Sequence, residues 1–351
     1  FLMIRRPPRS TRKESSAASD VYKRQGVQPS GEIHIGNYLG AISQFVDYQT
    51  DYKSIFSIVD LHAITVWQDS EALRNSTREV LAIFLASGLD ESKNIIFNQS
   101  QVPEHTQLSW ILSCTAKVGW LNRMTQFKDK AGKNKENASV GLYTYPILMA
   151  ADILLYSASH VPVGDDQKQH LELARDIAHK FNTDYSENIF VMPEPLMNKS
   201  TTRIMSLRDG SNKMSKSDIS EYSRILMTDS NDKIALKIKK AKTDPLKMPN
   251  TLKESESRLE VNNLLNIYSA CALMKKEEVI SKYASKEISL FKNDLTEVII
   301  NKVEPISIKT KQLLTDKVHL DNILSMGATK AKEISCKTIA KVYDKIGMIN
   351  K

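Results

Sequence analysis

Between Ser54 and Asn98 the sequence changes period twice, and no other feature restricts the fold as much. Ile55–Val59 is a short apolar run of strand type. Ser70–Ala86 carries its apolar residues at helical spacing and stops at Gly88, and Asn94–Phe97 reads as a strand again. Strand, helix and strand in that order imply a parallel α/β sheet. The pattern continues with helices at about 103–116 and 142–157, a short strand at Val161–Val163 and a helix at about 165–181. In a doubly wound sheet, ligands bind outside the carboxyl ends of the strands, where Gly26–Asn37, Asp60–His62 and Gly164–Gln167 fall. Beyond Ile204 strand signals thin out and lysines multiply. Helices are expected at Glu260–Met274, Lys292–Val303 and Ala328–Tyr343, separated by polar or Pro-containing turns. The expected fold class is α/β, a Rossmann-like doubly wound parallel sheet with a C-terminal all-helical domain.

Composition narrows the function classes. With 351 residues the chain is long enough for two domains or one large one. No uncharged apolar run approaches the roughly 18 residues a membrane span needs. The best candidate, Leu142–Ala158, is interrupted by Pro146 and Asp152. A soluble, non-membrane protein is therefore expected. Cys114, Cys271 and Cys336 are scattered, with no CxxC pair, which favours a reducing compartment and argues against a zinc site. Charge is unevenly distributed: residues 25–202 carry a net −6, and residues 203–351 a net +9. A basic half joined to an acidic half suits a polyanion-binding domain on an enzyme body, with Lys233, Lys237, Lys239, Lys240 and Lys242 as its exposed cluster. Residues 1–25 are rich in Arg and Ser and have no apolar period, and Pro7-Pro8 spoils an amphipathic helix. The string looks like translated adapter sequence, so a foreign or disordered leader is expected there.

Two short stretches carry the chemistry. In Gly26–Ile42 (GVQPSGEIHIGNYLGAI), Pro29, Ser30 and Gly31 break regular structure, and Gly36 removes side-chain bulk. A helix then starts after Asn37 and turns unpaired N–H groups toward an anion. The second stretch is Lys213-Met214-Ser215-Lys216-Ser217, with two cations three residues apart. Together HIGN (34–37) and KMSKS (213–217) resemble the paired signatures of class I aminoacyl-tRNA synthetases. The further stretches DLHAITVW (60–67), MTQFK (124–128), TYPILMAADILLY (144–156) and VPVGDDQKQH (161–170) are similar to the tryptophanyl-tRNA synthetase family. The resemblance runs from Gly26 to near the C-terminus.

It implies tryptophan activation with ATP and Mg²⁺, transfer to tRNA(Trp), a homodimer, and a bacterial cytoplasmic setting with an organelle matrix as the alternative. No protein-bound metal is expected. The organisation it implies is a catalytic domain over 26–205, a KMSKS loop over 206–218, an anticodon-binding domain over 219–326, and a last segment, 327–351, returning to the catalytic domain. Activation needs positioning and negative-charge stabilisation rather than an acid, a base or a covalent nucleophile. Lys213 and Lys216 would meet the leaving pyrophosphate, with Ser215 and Ser217 as further donors. His34 and Asn37 would donate to phosphate oxygens. Gln28, Pro29, Ser30, Gly36, Ile204 and Met214 would line the nucleotide. Lys128 is either another cation or a solvated surface group. Gly164, Asp165 and Asp166 resemble a ribose-side loop and also suit a helix N-cap. Indole N–H only donates, so a selective pocket needs a buried acceptor. Asp152, embedded in LMAADILLY, shares a helix face with Met149 and Tyr145. Val161 and Val163 would help wall the ring. Gln167 and His62 would meet the amino and carboxylate end, His62 being equally suited to a structural hydrogen bond. The alternatives are a tyrosine-specific sister synthetase, a tRNA-independent nucleotidyltransferase and an inactive tRNA-binding paralogue. The family's first strand is an apolar run, whereas Arg24 and Gln25 precede Gly26 here, which leaves that strand in doubt.

Overall fold

The computed structural model describes residues 22–49, 53–127, 135–163, 167–197, 203–216 and 218–349. Five parallel strands form one sheet: β1 (Tyr22–Val27), β2 (Lys53–Ile58), β3 (Ile95–Asn98), β4 (His160–Val163) and β5 (Glu194–Met197). Their order is β3-β2-β1-β4-β5. The chain winds outward from β1 on one side and continues from β4 on the other, so the direction reverses between β1 and β4. A crevice opens at such a switch point, beyond the strands' carboxyl ends.

The first strand corrects the sequence expectation. Residues 22–25, assigned above to a leader without packed structure, belong to β1 and occupy the middle of the sheet. Gln25 pairs with Phe56, Val27 with Ile58, and Lys23 with both Ser54 and His160. Side-chain hydrophobicity misleads here because a central strand is held first by its backbone. Without β1, the facing edges of β2 and β4 would leave peptide groups unpaired. Residues 1–21 lie outside the described residues.

β2 alternates across the sheet. Phe56 and Ile58 enter one apolar cluster with Phe45 and Phe84, while Ile55 enters the opposite cluster with Phe97, Leu112 and Ile177. The helix Ser70–Ala86 links β2 to β3. Asp69 caps it by accepting from Glu71 and Ala72 N–H at 3.1 and 2.9 Å. β5 has no strong signal in the sequence and is a short addition at the edge.

Beyond residue 218 the structure is helical, with longer elements than the sequence suggested. The expected 292–303 helix extends over Ile288–Leu314, with Pro305 inside it, and the last helix runs Lys317–Ile346. Pro305 removes one backbone donor, and packing of Phe291, Leu295, Ile299 and Val303 at 0% exposure carries the helix through it. Those residues share a cluster with Ile58 and Phe84 from the sheet and its first crossover helix. The last helix crosses β3 so closely that a Cβ on Gly327 would lie 1.8 Å from the Ile96 carbonyl oxygen. Asp321 on the same helix pairs with Arg78 through two bonds of 2.9 and 2.8 Å.

Candidate functional site

β1 ends in a turn, Gln28–Gly31, in which Gly31 takes φ +70. A side chain there would be strained, which explains the glycine. Ile33–Ile35 then runs beside 225–227: Met227 N–H donates to Ile33 O at 2.9 Å and Ile35 N–H to Ile225 O at 2.8 Å. His34 opens the helical turn Ile35–Asn37 through a reciprocal cap. Its Nδ1 accepts from Asn37 N–H at 3.3 Å, and its own N–H donates to Asn37 Oδ1 at 3.2 Å. Gly36 leaves space for this arrangement, since a Cβ would stand 3.0 Å from His34 Nδ1. Tyr38–Ile42 follows as a π-helical turn and Ser43–Tyr48 as α-helix.

His34 is buried, and its imidazole pKa is pushed down to about 3, first by burial and then by Lys216, Arg224 and Lys213. The ring is therefore neutral. Because Nδ1 accepts, the proton sits on Nε2, leaving a donor rather than a second cation.

In the KMSKS segment, Lys213 and Met214 pair through their backbone with Ile204 and Met205. Met205 bridges Lys213, and Met214 N–H donates to Ile204 O at 3.1 Å. Ile204 and Met214 are buried in the core and act as anchors rather than cavity lining. Gly210 sits against the start of the Leu259–Ala272 helix, where a Cβ would approach Leu259 C to 2.6 Å. Thus anchored, the segment lays Lys216 over the β1 turn. Its Nζ donates to Gln28 O and Gly31 O, both at 3.3 Å. Burial lowers the Lys216 pKa to about 8, with Glu79 opposing that shift.

Across the crevice, Asp152 stands 1% exposed on the helix Val140–Leu154. Its Oδ2 contacts His62 Nε2 at 2.8 Å. Its Oδ1 accepts from Gln99 Nε2 and His105 Nδ1, each at 2.6 Å. His62 lies in the turn Asp60–Ala63 just past β2, which Asp60 ties to the end of β3 by accepting from Asn98 Nδ2 and Ser100 N–H. Tyr145 hydroxyl donates to Gln126 Oε1 and contacts His170 Nε2 at 3.0 Å. Burial pushes the Tyr145 phenol up to about 12, so it stays protonated.

These groups meet in a cavity of about 510 Å³. From one side come Gln28, Ser30, Asn37, Lys213 and Lys216. From the other come His62, Tyr145, Met149, Asp152, Val161 and Gln167. Pro29, His34, Gly36, Ile204, Met214 and Ser215 are not among its lining residues. Lys128, Gly164, Asp165, Asp166 and Ser217 lie outside the described residues, as does the side chain of Val163. The sequence reading did not pick out Gln25, Val59 or Gln126, which also line the cavity. Gln126 sits inside the MTQFK stretch, which could have flagged it. Gln99 and His105, behind Asp152, had no local signal, whereas Tyr156 ends the TYPILMAADILLY stretch. Among the described residues no three His, Cys, Asp or Glu side chains group as a metal site.

The switch-point crevice is thus bordered by a lysine-bearing segment on one side and a buried carboxylate on the other. The chain belongs to the family of class I tRNA synthetases for W and Y, whose profile matches residues 19–304. It is similar to the tryptophan–tRNA ligase of Caulobacter vibrioides, 54% identical over 92% of this chain and 94% of that one. The Rickettsia conorii tryptophan–tRNA ligase is 51% identical, over 92% and 98%. Among solved structures, tryptophanyl-tRNA synthetase from Mycoplasma pneumoniae superposes with a TM-score of 0.85 at 34% identity, covering 94% of this chain and 99% of that one. The Campylobacter jejuni tryptophanyl-tRNA synthetase complexed with ADP and tryptophan gives 0.79 at 36%, covering 93% and 100%.

Proposed function

We propose that this chain is an ATP-dependent tryptophan–tRNA ligase, acting in the cytoplasm as a homodimer. The observation that carries this reading is one cavity lined both by the buried acceptor Asp152 and by the cations Lys213 and Lys216. The tryptophan carboxylate attacks the α-phosphorus of ATP and pyrophosphate leaves. The acyl group of the adenylate then passes to a terminal hydroxyl of tRNA(Trp), releasing AMP. Lys216 exchanges its carbonyl partners for phosphate oxygens, and Lys213 adds a second charge. The Asn37 amide donates a hydrogen bond without adding net charge, and neutral His34, outside the cavity lining, holds Asn37 through the reciprocal cap. Mg²⁺ would accompany the nucleotide and offset phosphate charge, and no group of His, Cys, Asp or Glu among the described residues is arranged to hold it. Asp152 accepts the indole N–H, Tyr145, Met149 and Val161 wall the ring, and Gln167 faces the amino and carboxylate end.

The basic C-terminal half supports tRNA binding, through a smaller cluster than the sequence suggested. Lys237 is buried, 2.6 Å from Asp229, because its position in the helix Asn231–Lys240 turns it inward with Ile234 and Ile238. Lys242 pairs with Glu260 at 2.7 Å. Lys233, Lys239 and Lys240 remain as exposed cations. Amino-acid-dependent exchange of labelled pyrophosphate into ATP, run across the twenty amino acids, tests the proposal. Tryptophan alone should support fast exchange; equal or faster exchange with tyrosine would overturn it. Charge reversal at Lys233, Lys239 and Lys240 should lower aminoacylation and leave exchange unchanged.

A further inference from the structure

The Asp152 carboxylate is supported from behind by a set of side chains that does not line the cavity. Gln99 and His105 are 0% exposed and Tyr156 is 1% exposed. Gln99 and His105 both reach Oδ1, whereas His62, which lines the cavity, reaches Oδ2. The two oxygens are thereby distinguished: Oδ1 faces the interior and Oδ2 belongs to the ligand side. His105 is itself tethered, its Nε2 lying 2.8 Å from the Tyr156 hydroxyl. Its ring packs against both Phe97 and Tyr156, at centroid distances of 5.7 and 5.5 Å, and those two rings also touch each other. The geometry suits a tautomer in which Nδ1–H donates to the carboxylate and Nε2 accepts from the Tyr156 O–H.

We propose that His105 is a positioning residue for amino-acid recognition: with Gln99 it clamps Oδ1 and holds Asp152 at the rotation that presents Oδ2 to the substrate's ring N–H. This rests on the reading of Asp152 as the indole acceptor and deepens it. Two donors at 2.6 Å on one oxygen leave the carboxylate little torsional freedom. The acceptor is thus aimed before the ligand arrives, which removes an ordering cost from binding. Support passes from Tyr156 to His105 to Asp152, so each step outward should matter less.

The test is steady-state pyrophosphate exchange by the full chain, with Michaelis constants for tryptophan and ATP measured separately. His105→Leu removes the donor and should raise the tryptophan KM about tenfold or more, with the ATP KM within about twofold. His105→Asn puts an amide N–H where Nδ1–H stood and should return the tryptophan KM to within about threefold of the parent. Tyr156→Phe removes only the outer tether and should raise it about two- to fivefold. An unchanged tryptophan KM in His105→Leu overturns the proposal. So does a parallel rise in both KM values, or a His105→Asn variant no better than His105→Leu, since either marks mere packing. Should His105→Leu fail to fold, Tyr156→Phe decides, and an unchanged tryptophan KM there overturns the proposal. Asp152→Ala separates the levels. If it leaves tryptophan KM unchanged, the acceptor reading itself falls; if it raises tryptophan KM while His105→Leu does not, only the positioning role falls.

Discussion

The two sides of the cavity are built by different means. On the amino-acid side, Asp152 is held by three side chains at 2.6 to 2.8 Å, all within a layer at most 6% exposed. On the phosphate side, Lys216 rests on two backbone carbonyls at 3.3 Å, and Lys213 is exposed. Short charge-assisted bonds fix a group before its ligand arrives, whereas long carbonyl contacts are weak enough for phosphate oxygens to replace. In the proposed function, selectivity would sit on the preorganised layer, and rate on a segment whose charges find their strongest partner only as the reaction proceeds.

The largest effect that would test this contrast is at Lys216. Lys216→Ala should lower the activation rate by about 10² or more, close to 3 kcal/mol, with the tryptophan KM barely changed. Pre-steady-state adenylate formation measures it. Equal losses in rate and tryptophan affinity would erase the distinction between the two sides. Asp152→Ala should do the reverse, weakening tryptophan by about 2 kcal/mol and sparing ATP, because a buried acceptor is lost while the phosphate groups are untouched. It should also lower the melting temperature, since His62, Gln99 and His105 would then be buried without their carboxylate.

The pH dependence sharpens the comparison. Burial lowers Lys216 to about 8 from its ordinary 10.5. In the free enzyme kcat/KM for ATP should hold below that value and fall about tenfold per pH unit above it, as the ammonium is lost. Lys216→Arg should remove that limb. Stability moves the other way. The folded state holds this proton less tightly than the unfolded chain, so the cost of burying the ammonium is fully present below pH 8 and is relieved as pH rises from 8 toward 10.5. His34, pushed down to about 3, should contribute no limb near neutrality. The smallest expected effect is at Gly36. Gly36→Ala crowds His34 Nδ1 and should cost about threefold in kcat/KM for ATP, with little change in melting temperature because alanine favours the helical turn by about 1 kcal/mol. A larger fall in melting temperature than in ATP use would make the reciprocal cap structural only.

What the sequence determined by itself is local. The helix Ser70–Ala86 was legible to the residue because its cap, its apolar spacing and its terminating glycine lie within a few positions of one another. The HIGN turn was legible only in part: the sequence started the helix after Asn37 with unpaired N–H groups, whereas His34 opens it at Ile35 and its carbonyl accepts from the Asn37 and Tyr38 N–H groups. Asp152, Met149 and Tyr145 could be placed on one face because helical geometry sets that relation. The tertiary structure decided what depends on distant partners. The polar segment Tyr22–Val27 became the central strand through backbone pairing with β2 and β4, which side-chain pattern does not report. Lys237, one lysine among several in the sequence, turned inward to Asp229. The clamp on Asp152 joins residues 47, 53 and 90 positions apart. Spacing along a chain encodes only contacts made within an element. The oxygen that Gln99 and His105 share exists as a site only after the turn following β3 and the helix Glu104–Thr115 have packed against the Val140–Leu154 helix.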